Sequence, residues 1–238
     1  MTAQSTRINK PTSNAEVNPV AQLDYRRWTK NPKQSRSEES LEKILDAALE
    51  QLLECGAEGL SVASVADRAG YTVGALYRRF ADKKSLLHAL HERFAENLLV
   101  ILQNVAEQVE QQKLSIVDMV EMLTAEAWTF AAQQQAFLQM ANIFAQNDKD
   151  FLHRKELVGM ASENILRPLF LNRSNEIKHP HPERAVRFVF EQSMALFSYR
   201  VESVQSSKIL PVMNEKEFME ELKYCFYLYL GIQPAQSP

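Results

Sequence analysis

Residues 61–86 read SVASVADRAGYTVGALYRRFADKKSL and decide the fold, because they contain two short helices joined by a tight turn. Apolar residues from Val62 to Ala69 recur at steps of three and four, which predicts one buried face of a first helix. Gly70 is placed to end this helix in a left-handed conformation, and Thr72 is placed to cap the next helix. The pattern is that of a helix-turn-helix.

The second of these helices has an inward face and an outward face. Leu76 and Phe80 lie one turn apart and are predicted to face inward. At about 100° per residue, Gly74 and Arg78 then lie almost opposite them. A recognition helix brings its first residues to base edges in the major groove, so we expect this helix to lie against double-stranded DNA. The residues predicted to contact DNA are Ser61, Thr72, Val73, Gly74, Tyr77, Arg78 and Lys83.

Each of these side chains has a chemistry that suits DNA. Thr72 offers a hydroxyl and a methyl group to bases or phosphates, and Tyr77 and Arg78 suit phosphate oxygens. Lys83 follows a predicted cap at Asp82 and is placed to pair with a phosphate. Two interpretations stay open for Val73, which either packs or contacts a thymine methyl group. Arg78 could also be only solvated.

The same residues resemble the TetR family of bacterial transcription regulators, over roughly residues 38–95. The pattern is matched by Ala69, Gly70, Thr72, Val73, Gly74, Leu76, Tyr77, Phe80 and Lys83. The resemblance implies a homodimeric repressor that a small molecule releases from a pseudo-palindromic operator. The pair Arg78-Arg79 departs from the family, which often has aromatic or His residues there, so the sequence leaves open which arginine meets DNA.

Charge and composition set weaker limits on the function. The 238-residue chain has a net charge of −3, but residues 1–36 hold seven Lys or Arg against two acidic residues, a net +5. We interpret residues 1–36 as a flexible basic arm, either in contact with DNA or solvated. Without an apolar run of membrane-spanning length or a secretion signal, a cytoplasmic protein is expected. Cys55 and Cys225 are expected to be small buried residues, with a redox pair as the alternative.

The rest of the chain is predicted to be all-α. An apolar stripe from Leu87 to Val105 predicts a long fourth helix that ends near Gln112. Helical periods follow near 115–132, 133–146, 149–172, 183–204 and 215–230. This organisation gives an N-terminal three-helix DNA-binding domain over 37–95 and a C-terminal helical domain over 96–238. The family resemblance assigns effector binding and dimerisation to the second domain.

Two residue sets in the C-terminal domain are predicted to be functional. The last two helices are apolar on more than one face, which favours a dimer interface. The resemblance implies a pocket for a small apolar or amphipathic effector between the linking helix and these helices. The predicted dimer residues are Phe190, Phe197, Leu222, Phe226 and Tyr229. The predicted pocket residues are Met119, Met122, Trp128, Phe137, Met140 and Phe144.

No catalytic or metal site is evident in the sequence, and no cofactor is expected. His88 and His91 have a metal-binding spacing, but only Glu92 accompanies them, so we interpret them as solvated. The sequence shows no paired acid and base, Gly-rich phosphate loop or Ser-His-Asp set. It therefore predicts a regulator and not an enzyme. The alternatives are a regulator that needs no ligand or activates transcription, and a helical enzyme or adaptor with a vestigial helix-turn-helix.

Overall fold

The computed structural model describes residues 22–29, 35–206 and 213–233, and within these ranges it contains helices and no strand. The α-helices are α1 (Ser35–Gly59), α2 (Val62–Ala69), α3 (Val73–Arg79), α4 (Lys83–Gln112), α5 (Ile116–Gln133), α6 (Gln135–Asn147), α7 (Lys149–Leu171), α8 (Pro182–Ser206) and α9 (Glu215–Leu230). Short 3₁₀ helices cover Tyr25–Trp28 and Ser174–Glu176. The all-α prediction is confirmed, and α4 ends at Gln112 as expected.

The first core, called the head, lies between α1, α2, α3 and the start of α4. Leu45, Leu52 and Val65 have no exposed surface in it. α6 packs across α1 and contributes to the same core with Phe137, Met140, Ala141 and Ala145. The head is therefore not limited to residues 37–95, because a helix from the second predicted domain completes its core.

The second core, called the body, lies between α5, α8, α9, the end of α4 and the end of α7. Val109, Ile116 and Leu230 are fully buried there. α4 has 30 residues and so spans about 45 Å, long enough to belong to both cores. None of the helices in the described ranges is both long and apolar enough to cross a membrane.

Two expectations from the sequence are wrong. Residues 22–29, placed in a flexible arm by the sequence analysis, include the 3₁₀ helix Tyr25–Trp28, which packs on α4 with Tyr25 buried. The rest of the predicted arm, except for the start of α1, lies outside the described residues. Cys55 is exposed and Cys225 is only half-buried, so neither is the buried residue expected. Cys55 lies beside a break in α1 at Gly56 (φ 69°, ψ −178°), past the part of the helix that faces the core.

Candidate nucleic-acid interface

Local hydrogen bonds build the turn between α2 and α3. Ser61 caps α2, since its hydroxyl oxygen accepts from the Ser64 N–H at 3.1 Å. Gly70 ends α2 with φ 74° and ψ 30°, and its N–H donates to the Ala66 and Asp67 carbonyls. This left-handed conformation is unfavourable for residues with a side chain. The left-handed Gly70 predicted from the sequence is therefore confirmed.

α3 has one face in the head core and the opposite face in solvent. Thr72 caps the helix by accepting from the Ala75 N–H at 3.1 Å. Leu76 and Phe80 are 1% and 2% exposed, which confirms the predicted inward face. The exposed residues of the outward face are Thr72, Val73, Gly74, Tyr77 and Arg78. Val73 and Tyr77 expose 40% and 48% of their surface, so this face presents apolar groups as well as charge.

The two neighbouring arginines of α3 have different surroundings. Arg78 is exposed on the outward face. Arg79 is half-buried, and its Nη2 donates to the Ser40 Oγ of α1 at 2.7 Å. Burial lowers the pKa of the Arg79 guanidinium. Arg79 thus joins α3 to α1, and Arg78 is the arginine that the helix presents outward.

Two more helix starts carry residues predicted to contact DNA. Ser61 is exposed where α2 begins. Asp82 caps α4 by accepting from the Ser85 N–H at 2.7 Å, and Lys83 follows it, half-buried, in the first turn. Backbone N–H groups at helix starts favour phosphate oxygens. The seven predicted residues therefore come from the starts of α2, α3 and α4, and six of them are exposed.

Comparison with known proteins finds a family with a similar helix-turn-helix region. Residues 44–90, which run from α1 into α4, match the family model of bacterial regulatory proteins, tetR family. The matched residues make up the helix-turn-helix part of the head, about a fifth of the chain. No curated protein matches the chain.

Solved structures of TetR-family regulators share the fold along most of the chain. A regulator assigned to this family from Mesorhizobium loti MAFF303099 has a TM-score of 0.64 at 16% identity, over 83% of this chain and 98% of that one. Thermus thermophilus FadR, a repressor solved with lauroyl-CoA, has a TM-score of 0.57 at 18% identity, over 83% and 98%. Bacillus subtilis FadR, solved with stearoyl-CoA, has a TM-score of 0.59 at 18% identity, over 81% and 99%. At these identities the likeness establishes the fold.

The structure does not bring the six predicted pocket residues together. Met119 and Met122 pack in the body core. Trp128 is half-buried at 6.5 Å from Phe197 and 5.9 Å from Phe218, measured between ring centroids. The other three, Phe137, Met140 and Phe144, pack in the head core. The reason is the packing of α6 on α1, which buries the apolar residues of α6 in the head core.

The predicted dimer residues also divide into two groups. Leu222 and Phe226 are buried in the body core of their own chain, and Phe190 and Phe197 are partly buried against it. Tyr229 is 37% exposed. The large apolar side chains that are most exposed on α8 and α9 are Phe188, Met194, Tyr199, Tyr224 and Leu228. Both helices are apolar on several faces, so periodicity could not tell the inward face from the outward one.

The interpretation of His88 and His91 as solvated residues is wrong. His88 and Glu92 have no exposed surface, and His91 is 4% exposed. The His88 ring stacks on Trp28 with centroids 4.0 Å apart, and its Nε2 lies 3.1 Å from Asp148 Oδ2. Burial lowers the pKa of both histidines, that of His91 to about 3. Within the described residues, no group of three or more His, Cys, Asp or Glu is arranged to hold a metal ion.

Proposed function

We propose that the protein is a cytoplasmic homodimeric repressor, which binds a pseudo-palindromic operator through α3 and leaves it when a small apolar or amphipathic effector binds. The outward face of α3 carries this proposal. Val73 and Tyr77 are exposed there beside Gly74 and Arg78. Apolar groups are unfavourable in water, and the major groove offers thymine methyl groups for them to contact.

DNA binding is tested by fluorescence anisotropy with the duplex upstream of the protein's own gene and a scrambled duplex of equal length. We expect tight binding to the first, with two protomers per site. Arg78→Gln should weaken binding and reduce the slope of log affinity against log salt by about one, because one phosphate contact is lost. Lys178→Gln is the matched control, since Lys178 is exposed in a loop of the body. An unchanged slope in Arg78→Gln would contradict the placement of that arginine.

The dimer part of the proposal is supported by the exposed sides of α8 and α9. Leu228 is 66% exposed and Met194 is 54% exposed. The rings of Phe188 and Tyr229 lie 4.7 Å apart and make this surface continuous from one helix to the other. Exposed apolar groups that adjoin in this way are typical of protein interfaces. We place the interface on this surface.

Light scattering of the purified protein tests the dimer. Leu228→Glu should convert the dimer to monomer, because a charge at the centre of an apolar interface loses its hydration. Val100→Glu is the control, since Val100 is 53% exposed on α4. A Leu228→Glu protein that stays dimeric would place the interface elsewhere.

The effector part of the proposal is supported by the aromatic cluster of Trp128, Phe197 and Phe218 in the body. Arg200 lies beside it at 9% exposure, with its guanidinium carbon 5.3 Å from the Phe218 ring centroid. Its Nε has no hydrogen-bond partner among the described residues. A buried cation is unfavourable without a counter-charge. An effector with an apolar body and an acidic end would therefore suit this region.

Lauroyl-CoA and stearoyl-CoA are the first compounds to test, because two proteins of the same fold were solved with them. Each is added to the complex of protein and operator, and its binding is followed by fluorescence in Trp28→Phe, where Trp128 is the remaining tryptophan. We expect release of DNA, with about tenfold more compound needed for Arg200→Gln, since a buried charge pair is lost. Arg187→Gln, an exposed change on the same helix, is the control. Operator binding that responds to no amphipathic acid would favour the ligand-independent regulator.

A further inference from the structure

Residues 22–29, called the N-terminal strap below, form a folded segment on the surface of α4. Asp24 caps the 3₁₀ helix Tyr25–Trp28 by accepting from the Arg26 N–H at 3.0 Å. Leu23 and Tyr25 are 6% and 7% exposed. A short segment with its own cap and two buried apolar side chains is held in one conformation.

Carboxylates of α4 and α1 hold the strap to the helices of the head. The Asp24 N–H donates to Glu92 Oε2 at 2.8 Å, and the Tyr25 N–H donates to Glu96 Oε1 at 3.3 Å. Glu92 and Glu96 lie one turn apart, so α4 receives two successive backbone donors of the strap. The Tyr25 hydroxyl donates to Glu42 Oε1 of α1 at 2.5 Å. Burial and the Glu42 carboxylate raise the pKa of Tyr25 to about 12, which keeps the hydroxyl protonated.

Arg154 of α7 holds the same strap from a different helix. Its Nη1 donates to the Gln22 carbonyl at 2.8 Å, and its Nε lies 2.9 Å from Glu92 Oε1. The guanidinium carbon is 5.5 Å from the Trp28 ring centroid. Leu23 adds an apolar contact with a small cluster that includes Leu157, Val158 and Ala161 of α7.

Trp28 lies where these contacts meet. Its ring stacks on His88 of α4 at 4.0 Å, with 17° between the ring planes. His88 Nε2 is 3.1 Å from Asp148 Oδ2, and Asp148 is the cap of α7, where its Oδ1 accepts from the Asp150 N–H at 3.0 Å. The indole thus connects the strap with α4 and, through His88, with the start of α7.

We propose that the strap fixes the angle between the head and the body, and that Trp28 is its positioning residue. The partners of the strap belong to α1 and to the first halves of α4 and α7, and the far ends of α4 and α7 lie in the body core. The contacts of the strap therefore form together at only one placement of α1 against these two helices. Hydrogen bonds weaken steeply beyond about 3.5 Å, so a small rotation of the head breaks them. This role rests on the proposed dimer, because in a two-fold dimer the angle of each head sets the distance between the two α3 helices.

Full-length Trp28→Ala and Trp28→Phe proteins test the proposal on operator duplexes whose central spacer is lengthened or shortened by a single base pair. The wild type should lose about tenfold in affinity on either change, since its second head no longer reaches its half-site. Trp28→Ala should bind all spacings with affinities within about threefold, because a freed head adapts to each of them. Its affinity for a duplex with one half-site should be unchanged. Trp28→Phe should restore the spacing preference, since a phenyl ring keeps the stack on His88.

Two results would overturn the proposal. One is a Trp28→Ala protein that keeps the spacing preference of the wild type. The other is an equal loss of affinity for half-site and full operator, because damage to the head would then explain the effect.

A wild type that binds half-site and full operator equally would instead refute the dimer, and a second measurement then decides the role of the strap. Two spin labels, one on Cys55 and one on Lys178→Cys, report the distance from head to body. The labelled protein carries Cys225→Ser, and each assembly contains a single labelled protomer. We expect one narrow distance in the wild type and a broad distribution in Trp28→Ala. Equal widths would refute the strap.

Discussion

Alanine at Gly70 and alanine at Gly74 are expected to change the stability of the head in opposite directions. A Cβ at either position would meet no heavy atom within 4 Å, so the backbone conformation decides the effect. At Gly70, with φ 74°, a side chain costs about 1–2 kcal/mol, and a less flexible unfolded chain offsets about 0.4–1 kcal/mol of this. Gly70→Ala should therefore destabilise the head by about 1 kcal/mol.

Gly74 is helical and exposed in the first turn of α3. Alanine is preferred to glycine in a helix by about 0.5–1 kcal/mol, so Gly74→Ala should stabilise the free protein by about 0.5 kcal/mol. Its methyl group would lie on the outward face, where we place the DNA. It would hold the helix away from the bases, and operator affinity should fall by about tenfold, equivalent to about 1.4 kcal/mol.

Urea unfolding followed by circular dichroism gives the two stability changes, and anisotropy titration gives the operator affinities. Gly70→Ala should lower the unfolding midpoint and retain operator affinity at temperatures where it is folded. Gly74→Ala should raise the midpoint and lose affinity. A Gly74→Ala protein that binds the operator within twofold of the wild type would refute the close approach of α3 to DNA. A Gly70→Ala protein as stable as the wild type would refute the argument from its backbone conformation.

Three further outcomes are expected. Burial lowers the pKa of His91 to about 3 in the folded protein. Between this value and the ordinary histidine pKa of 6.5, the unfolded chain therefore binds a proton at His91 that the folded chain does not bind. The free energy of unfolding should therefore fall as the pH drops from 6.5, by about 2 kcal/mol at pH 5. Urea unfolding midpoints at pH 7 and pH 5 measure this fall, which should be smaller in His91→Phe. Leu76→Ala should lower the free energy of unfolding in urea by about 2–5 kcal/mol, since Leu76 is 1% exposed. Leu53→Ala should lower it far less, since Leu53 is 49% exposed. A thiol reagent should modify exposed Cys55 faster than half-buried Cys225, and equal rates would contradict this difference in exposure.

The parts of the head that sequence reasoning predicted are those that local chemistry determines. Thr72 and Asp82 cap the helices that follow them, and each accepts a hydrogen bond from the N–H three residues later. Gly70 adopts a positive φ because it ends α2 in the left-handed conformation, which depends on the local chain and not on distant residues. Such features depend on a few neighbouring residues, so the sequence alone is enough to predict them.

The buried polar residues of α4 could not be predicted in the same way. Glu92 is fully buried, next to Arg154 at 2.9 Å, and it accepts a hydrogen bond from the Asp24 N–H. These two partners are 62 and 68 residues away from Glu92 in the chain. Helical periodicity ranks positions by hydropathy, so it favoured the interpretation of His88 and His91 as solvated. The strap was placed in a flexible arm because the N-terminal leader as a whole is rich in Ser, Thr, Asn and Pro. One sequence feature does indicate a folded segment here, namely the apolar and aromatic residues of LDYRRW (23–28) within an otherwise polar leader.

The connection between head and body has a different character from the cores on either side of it. Leu86 and Leu90 of α4 face the head core, where burial is favourable in many relative positions because the hydrophobic effect is not directional. Between them and Leu99, α4 buries Glu92, which accepts from the Asp24 N–H at 2.8 Å and forms an ion pair with Arg154. Replacing such a pair by apolar side chains is often neutral or stabilising, so stability alone does not explain it. The burial of Glu92 is explained if the angle of the head has to be defined, because directional contacts form at only one angle. Defining this angle is the role that we propose for the strap, which binds the same carboxylate.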